Sequence, residues 1–386
     1  MRLLKLGIYH PGYLRGFYSR RAGLETQPYA EQHRALIDDL FGSSDFWTQA
    51  LTKIGYETAD TVANAEPLQK AWARERAFKF DEKSWLHAIT LAQVKAFRPD
   101  VLLIADYVVF DASFIRVLRR ECPGIQLVLG WCGAPYEDHS VFREWDVALS
   151  CVFELVKDFR EQGIRSFHVN HAFARRVLDR IDETAEPTID FAFVGSVVKR
   201  SLFHEEREKL LIELVERTHL QIWSDLPSNS PSLWTRLRNA LAFSEPAPMA
   251  NSSENFADAR LVSRAQPPVF GAEMFQKLHD SRVVFNNHID ISPVSASNMR
   301  LFETTGVGSC LLTDWRANIS ELFDPTSDIL TYKSADECVE KLEYILANDD
   351  ERRSIAAAGQ RRTLRDHTFE NRAQQIDEIV RDALNR

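Results

Sequence analysis

The sequence predicts an α/β protein made of two Rossmann-like domains facing each other across a cleft, and three observations lead to it. The chain has 386 residues, beyond the size at which one hydrophobic core stops growing, so two domains of roughly 180 residues are expected. Short apolar runs alternate with amphipathic stretches in both halves, the pattern of strands feeding crossover helices onto parallel sheets. Between the halves lies a polar passage, Asp179 to Thr188, carrying Glu186-Pro187. The expected layout is a first domain over 1–180, a second over 188–365, and a final helix over about 366–386 free to pack back on the first domain.

In the first half the strands fall at Leu4 to Tyr9, Tyr56 to Val62, Val101 to Ala105, Leu127 to Trp131, Val147 to Cys151 and Phe167 to Val169. Helices are expected near Ala30 to Leu40, Asp45 to Lys53, Lys83 to Phe97 and Phe114 to Arg120. The helix from Lys83 shows why: Trp85, Leu86, Ile89, Ala92, Val94 and Phe97 recur close to a 3.6-residue period. Arg98-Pro99-Asp100 ends it, because a residue before proline is pushed out of the helical region.

The second half restarts with a strand at Ile189 to Val194, a Gly195-Ser196 turn, a charged helix from about Phe203 to Arg217 and a strand at Leu220 to Trp223. The segment Pro227 to Pro268 is rich in Ser, Pro and Asn, with one apolar helix near Leu233 to Phe243, and reads either as a lid or as a surface insertion. A helix near Gly271 to Leu278, a strand at Val283 to Asn287, a loop to Ser297 and a helix from about Asn298 to Thr305 follow. Gly308 to Thr313 is another strand, Asn318 to Phe323 a short helix, and Ser334 to Leu346 and Glu351 to Leu384 are largely helical. In such sheets ligands sit beyond the carboxyl ends of the strands, which puts the working site in the cleft.

Composition narrows the chemistry. No window approaches the roughly 18 to 20 apolar residues that span a bilayer, and the start, MRLLKLGIYHPG, lacks a long apolar core and a cleavage site, so the chain is read as soluble and cytoplasmic. Five scattered cysteines show no metal-ligand spacing. A net charge of -9 argues against a sequence-independent hold on nucleic acid. There is no GxxxxGK[ST] loop, GxSxG elbow, HExxH, GxGxxG after the first strand, or DxD metal motif; Asp349-Asp350 lies in a turn between helices. No metal is expected.

The most informative stretch is VVFNNHIDISPVSASNMRLFETTGVGSCLLTDWRANISELF, Val283 to Phe323. Ser295, Ser297 and Asn298 are N-cap candidates for a helix carrying Arg300 and Glu303. Free N–H groups and the positive dipole end at its start suit a diphosphate, Arg300 adds a fixed bidentate cation, and Glu303 on the same face can accept two ribose hydroxyls. The plainer alternative is a capped helix with an Arg300/Glu303 surface pair. In FVGSVVKRSLF, Gly195 and Ser196 let the backbone approach a phosphate that Lys199 or Arg200 can reach. Trp223 either borders the nucleobase or fills the core.

On the first half, His10 in the turn Tyr9 to Tyr13 after strand 1 places an imidazole facing the cleft, the first candidate for a base that deprotonates an acceptor hydroxyl, and Asp106 is the second. Tyr107, Trp131 and Tyr136 stand on comparable turns and either stack on a sugar or pack the rim. His171 and His288 stand at strand ends where a diphosphate could reach them, whereas His367 is read as a packing or capping residue before the last helix.

NMRLFETTGVGSCLLTD followed by NISELF resembles the signature of the GT-B glycosyltransferases related to the CgeB-type spore-maturation proteins and of the wider glycosyl transferases group 1 type. The ending ERRSIAAAGQRRTLRDHTFENRAQQI and the opening segments PYAEQHRALIDDLFGSSDFWTQALTKIGYE and NAEPLQKAWARE are similar to the same group, so the resemblance covers nearly the whole chain. It implies the GT-B architecture, with Glu303 binding the donor ribose and Asn298 and Arg300 flanking the diphosphate. The acidic residue that retaining members carry eight positions before the glutamate is here Ser295. The implied reaction moves a sugar from a nucleoside diphosphate sugar, UDP-linked first with GDP- and dTDP-linked sugars open, to a hydroxyl acceptor, with no cofactor or metal required. A GT-B-fold epimerase or hydrolase and a non-catalytic nucleotide-sugar binder remain alternatives.

Overall fold

The computed structural model describes residues 1–134, 136, 139–197, 205–226, 258–290, 292 and 294–385. In the first half β1 (Arg2–Gly7), β2 (Glu57–Val62), β3 (Val101–Ile104), β4 (Leu127–Trp131), β5 (Val147–Ser150) and β6 (Ser166–His168) form a parallel sheet in the order β2-β1-β3-β4-β5-β6. In the second, β7 (Ile189–Val194), β8 (Gln221–Trp223), β9 (Ala265–Gln266), β10 (Ser281–Asn286), β11 (Cys310–Asp314) and β12 (Leu330–Tyr332) form another parallel sheet in the order β12-β11-β10-β7-β8-β9. The central strands are continuous apolar runs such as Val101 to Ile104, all buried, because helices cover both faces of a parallel sheet. Strand order reverses between β1 and β3 in the first sheet and between β7 and β10 in the second, and crevices for ligands open at such reversals.

The first-half helices are α1 (Pro11–Ser19), α2 (Tyr29–Asp38), α3 (Phe46–Lys53), α4 (Glu66–Glu75), α5 (Trp85–Phe97), α6 (Ala112–Glu121) and α7 (Phe153–Glu161). Among the described residues the second half adds α8 (Glu205–Arg217), α9 (Ala259–Arg264), α10 (Gly271–His279), α11 (Arg300–Gly306), α12 (Ile319–Leu322), α13 (Ala335–Ala347), α14 (Asp349–Asp366) and α15 (Phe369–Leu384). No helix of the described residues is long and apolar enough to cross a membrane.

Several elements differ from the sequence expectation. The turn expected at Tyr9 to Tyr13 is the start of α1, with His10 at the N-cap and Pro11 in the first turn, where its missing N–H is no loss. Helices α4 and α7 and strand β12 were not expected. The stretch from Glu351 to Leu384, expected as largely helical with a final helix from about 366, is α14 and α15, set apart where Thr368 caps α15 through a reciprocal box with Asn371. Most of the Pro227 to Pro268 segment, including the expected Leu233 to Phe243 helix, lies outside the described residues.

That break returns the chain to the first half. On α15, Phe369 packs edge-on against Trp47 of α3 at 5.1 Å, Asp377 accepts from the Tyr56 hydroxyl at 2.8 Å, and Gln375 donates to the His168 carbonyl at 2.9 Å. The halves also meet at Gly271, whose φ of 58° brings α10 so close to Asp39 that a Cβ would sit 2.0 Å from the Asp39 carbonyl oxygen. The Ala272 amide donates to that carbonyl at 2.8 Å.

Candidate functional site

A cavity of about 370 Å³ lies where the second sheet reverses, between the carboxyl ends of β7 and β10, and the first half closes it with Phe41, Gly42, Gly133, Cys151 and His171. From β7 come Gly195 and Ser196; from β10 and its loop come Asn286, Asn287, Ser297 and Asn298; from α11 come Arg300 and Glu303. It contains both strand ends at the reversal, as open α/β sheets dictate.

Buried amides fix its floor. Asn286 donates from Nδ2 to Thr313 Oγ1 at 2.8 Å and accepts from Asn298 Nδ2 at 2.7 Å, while its carbonyl accepts from the Tyr332 hydroxyl at 2.9 Å. Arg207 reaches in from α8. One guanidinium nitrogen donates to the Ser196 carbonyl at 2.9 Å and another to the Asn287 carbonyl at 2.6 Å, tying the β7 and β10 turns together. Burial pulls Arg207 down to about 10, against the charge of Asp314, so it stays a cation at neutral pH.

On α11, Arg300 Nη1 donates to Glu303 Oε2 at 2.7 Å, and both side chains are largely buried. Burial raises the Glu303 carboxyl above its ordinary value and Arg300 opposes that shift. The sequence alternative of a surface pair is corrected here: the Arg300–Glu303 pair sits inside the cleft wall. The N-cap expectation is corrected too. Met299 occupies the cap with helical backbone and no side-chain cap bond, because Asn298 is committed to Asn286 and the Ser297 hydroxyl donates to Ser292 at 3.2 Å. Ser295 is buried and its carbonyl accepts from the Ser292 hydroxyl.

The cleft thus gathers Gly195, Ser196, Ser297, Asn298, Arg300 and Glu303. Lys199 and Arg200 lie outside the described residues. His288 does not reach this cavity: its side chain is buried, pairs through Nδ1 with Asp314 at 2.7 Å, and lines a neighbouring groove. His10 is exposed at the head of α1 and stacks on Phe270, a cleft residue of the second half, at 6.3 Å. Asp106 accepts from the Val108 and Val109 amides at 3.0 and 2.7 Å, which ties its carboxylate to its own turn. Trp223 is a buried core residue. Tyr136 packs on Phe142 and Phe159, Tyr107 reaches the Ala134 carbonyl, and Trp131 packs at a tilt between Trp47 and His171. His367 caps and packs, with Nε2 on the Leu322 carbonyl at 2.8 Å.

Arg207, Asn286 and Phe270 were missed in the sequence. For Arg207 a signal existed: it stands four and seven residues before Leu211 and Leu214, on the one buried stripe of an otherwise charged helix. A cation on that stripe must be paired or face a site. The Asn286 and Phe270 contacts are set by tertiary packing and left no local trace.

Residues 200–378 match the family model described as glycosyl transferase-like. No curated protein matches the chain in sequence. Among solved structures, HepE of Anabaena, determined with UDP and glucose, is similar over 99% of this chain and 100% of that one, with a TM-score of 0.55 and 10% identity. Sucrose-phosphate synthase of Thermosynechococcus elongatus is similar over 99% and 98%, at 0.54 and 10%. A glycosyltransferase of Rickettsia africae is similar over 99% and 98%, at 0.56 and 8%. Likeness at these identities shows the GT-B fold, two parallel α/β sheets facing one cleft.

Proposed function

We infer, for a chain with the GT-B fold and a glycosyl transferase-like second half, that it transfers a sugar from a nucleoside diphosphate sugar to a hydroxyl acceptor. The observation that carries this is the convergence of Arg207, Arg300 and Glu303 on one cavity at the strand reversal of the second sheet. In this reading residues 188–365 hold the donor, residues 1–180 hold the acceptor, and 366–386 belong with the first half. Glu303 accepts the ribose hydroxyls through the carboxylate oxygen that Arg300 leaves free. The diphosphate lies against Arg300, Arg207 and the Gly195-Ser196 turn, with Lys199 and Arg200 available from the sequence.

Transfer needs negative charge stabilised on the departing diphosphate, and preorganised cations and amides in a water-poor cleft do this without reorganising. Two guanidinium groups make a divalent cation unnecessary in this proposal. UDP is the favoured carrier, supported by HepE having been solved with UDP and with UDP-glucose. His10 and Asp106 remain the acceptor-side candidates from the sequence, and His10, with its ring exposed beside Phe270, is the better placed to take a proton. A cytoplasmic location and the CgeB-like subtype belong to the same proposal and rest on the sequence.

The test is a transfer assay with UDP-, GDP- and dTDP-linked sugars against a panel of hydroxyl acceptors, run with and without EDTA. The expected outcome is acceptor-dependent release of UDP that EDTA does not change. Tight nucleotide binding with no turnover on any pair would make the chain a binder, and release that needs a divalent cation would remove the metal-independent mechanism.

A further inference from the structure

A second chamber shares a wall with the cleft. It measures about 190 Å³ and lies between the face of the first sheet, α3 and α15. Trp47, Trp131 and Phe369 give it aromatic sides, and Leu103, Leu149 and Ile376 give it apolar ones. Its one cation among the described residues, Lys5, is committed to Asp60 at 2.8 Å. His171 and Met299 line both this chamber and the cleft cavity, so the two spaces meet there. The His171 ring lies tilted by 50° against Trp131 at 5.2 Å, and among the described residues its nitrogens find no hydrogen-bond partner. Burial, with Arg372 adding to it, pulls His171 down to about 4, so it is neutral at physiological pH and offers one donor and one acceptor.

Resting on the transfer reading of the cleft, we propose that this chamber is the acceptor subsite and takes a single six-membered aromatic ring bearing a hydroxyl, with that hydroxyl at the shared wall beside His171. Size argues for it: an apolar protein cavity of about 150 Å³ is known to hold benzene, and this one is slightly larger. Polarity argues against a sugar ring of similar size, which would bury several hydroxyls against Leu103, Leu149 and Ile376 with too few partners. A phenol brings one hydroxyl, and neutral His171 has one unprotonated ring nitrogen to accept from it. The aromatic sides suit offset or edge-on ring contacts. The location also fits the sheet, since Lys5 and Leu103 belong to β1 and β3, the strands at which its order reverses.

The experiment titrates phenol, glucose and UDP separately into the full chain by calorimetry, using wild type, Ala105→Phe and Leu149→Phe. Ala105 lines the chamber from an exposed position, so a phenyl ring there fills the space with little risk to folding. Expected is saturable phenol binding to wild type, weakened about tenfold or more in both variants, with UDP affinity kept within about twofold and no glucose binding. Absence of phenol binding while UDP binds overturns the chamber and leaves the donor reading intact. Phenol affinity unchanged in Ala105→Phe and Leu149→Phe, or binding of glucose instead, overturns it as well. Phenol binding without UDP binding overturns the acceptor assignment together with the donor reading.

Discussion

Glu303 is 5% exposed and meets the Arg300 guanidinium at 2.7 Å, and burial outweighs that cation enough to raise its carboxyl above the ordinary 4.5. The sign has two consequences. For the fold, ionised Glu303 costs stability at neutral pH, and the cost vanishes as pH falls through its folded value. For binding, the proposed donor site has ribose hydroxyls donating to the carboxylate and favouring it, so that binding would expel the proton from any protonated fraction. UDP-glucose affinity therefore falls as pH drops through the mildly acidic range above 4.5, by up to about tenfold per pH unit below the folded value. Calorimetry from pH 7 downward checks this, and Glu303→Gln should flatten the profile; an equally steep profile in that variant assigns the proton elsewhere.

At the scale of elements, the junction of α14 and α15 is fixed by His367, which is held between the Leu322 carbonyl and the Arg372 guanidinium at 3.0 Å. Burial pulls His367 down to about 4, so it is neutral in the fold while the unfolded chain takes up a proton near 6.5. Stability from this site is full above 6.5 and is lost as pH falls toward the folded value, by roughly 2 kcal/mol at pH 5. Urea unfolding at pH 7 and pH 5 should show a smaller loss for His367→Gln than for wild type; equal losses would place the proton uptake at another group.

This junction also marks how far the sequence could be read. Strands such as Val101 to Ile104, and α5 with its 3.6-residue apolar stripe, were legible because burial imposes a period on side chains. The final helix was read from about 366, but the pairing of Thr368 with Phe173 of the first half, which fixes where it starts, was not, because that contact is set by tertiary packing. In the site, the stretch around Arg300 and Glu303 was legible from residue types. Its N-cap was misread because Ser297 and Asn298 spend their side chains on tertiary partners. The role of Arg207 needed the spatial meeting of the Ser196 turn with the Asn287 turn, which lies 80 residues beyond Arg207 itself.

Across the whole molecule, the two halves are held in register by α15 on α3 and by the Gly271 contact with Asp39. Gly271→Ala sets a methyl group against the Asp39 carbonyl in a backbone conformation that favours glycine, so the halves must part locally. A displacement of about 1 Å between reacting atoms can lower turnover by about a hundredfold. In a transfer assay this variant is expected to lose kcat by that order while the KM for the donor changes by no more than about twofold. A matching loss in donor binding would show instead that the contact supports the donor half itself.

The most direct measurement of the central claim is a calorimetric titration of UDP into wild-type protein and into Glu303→Ala. The account predicts saturable one-to-one binding to wild type and an affinity at least about tenfold weaker in the variant, the size expected for lost hydrogen bonds to a buried charged group. Equal affinities in the two proteins, or no binding to wild type, would contradict it.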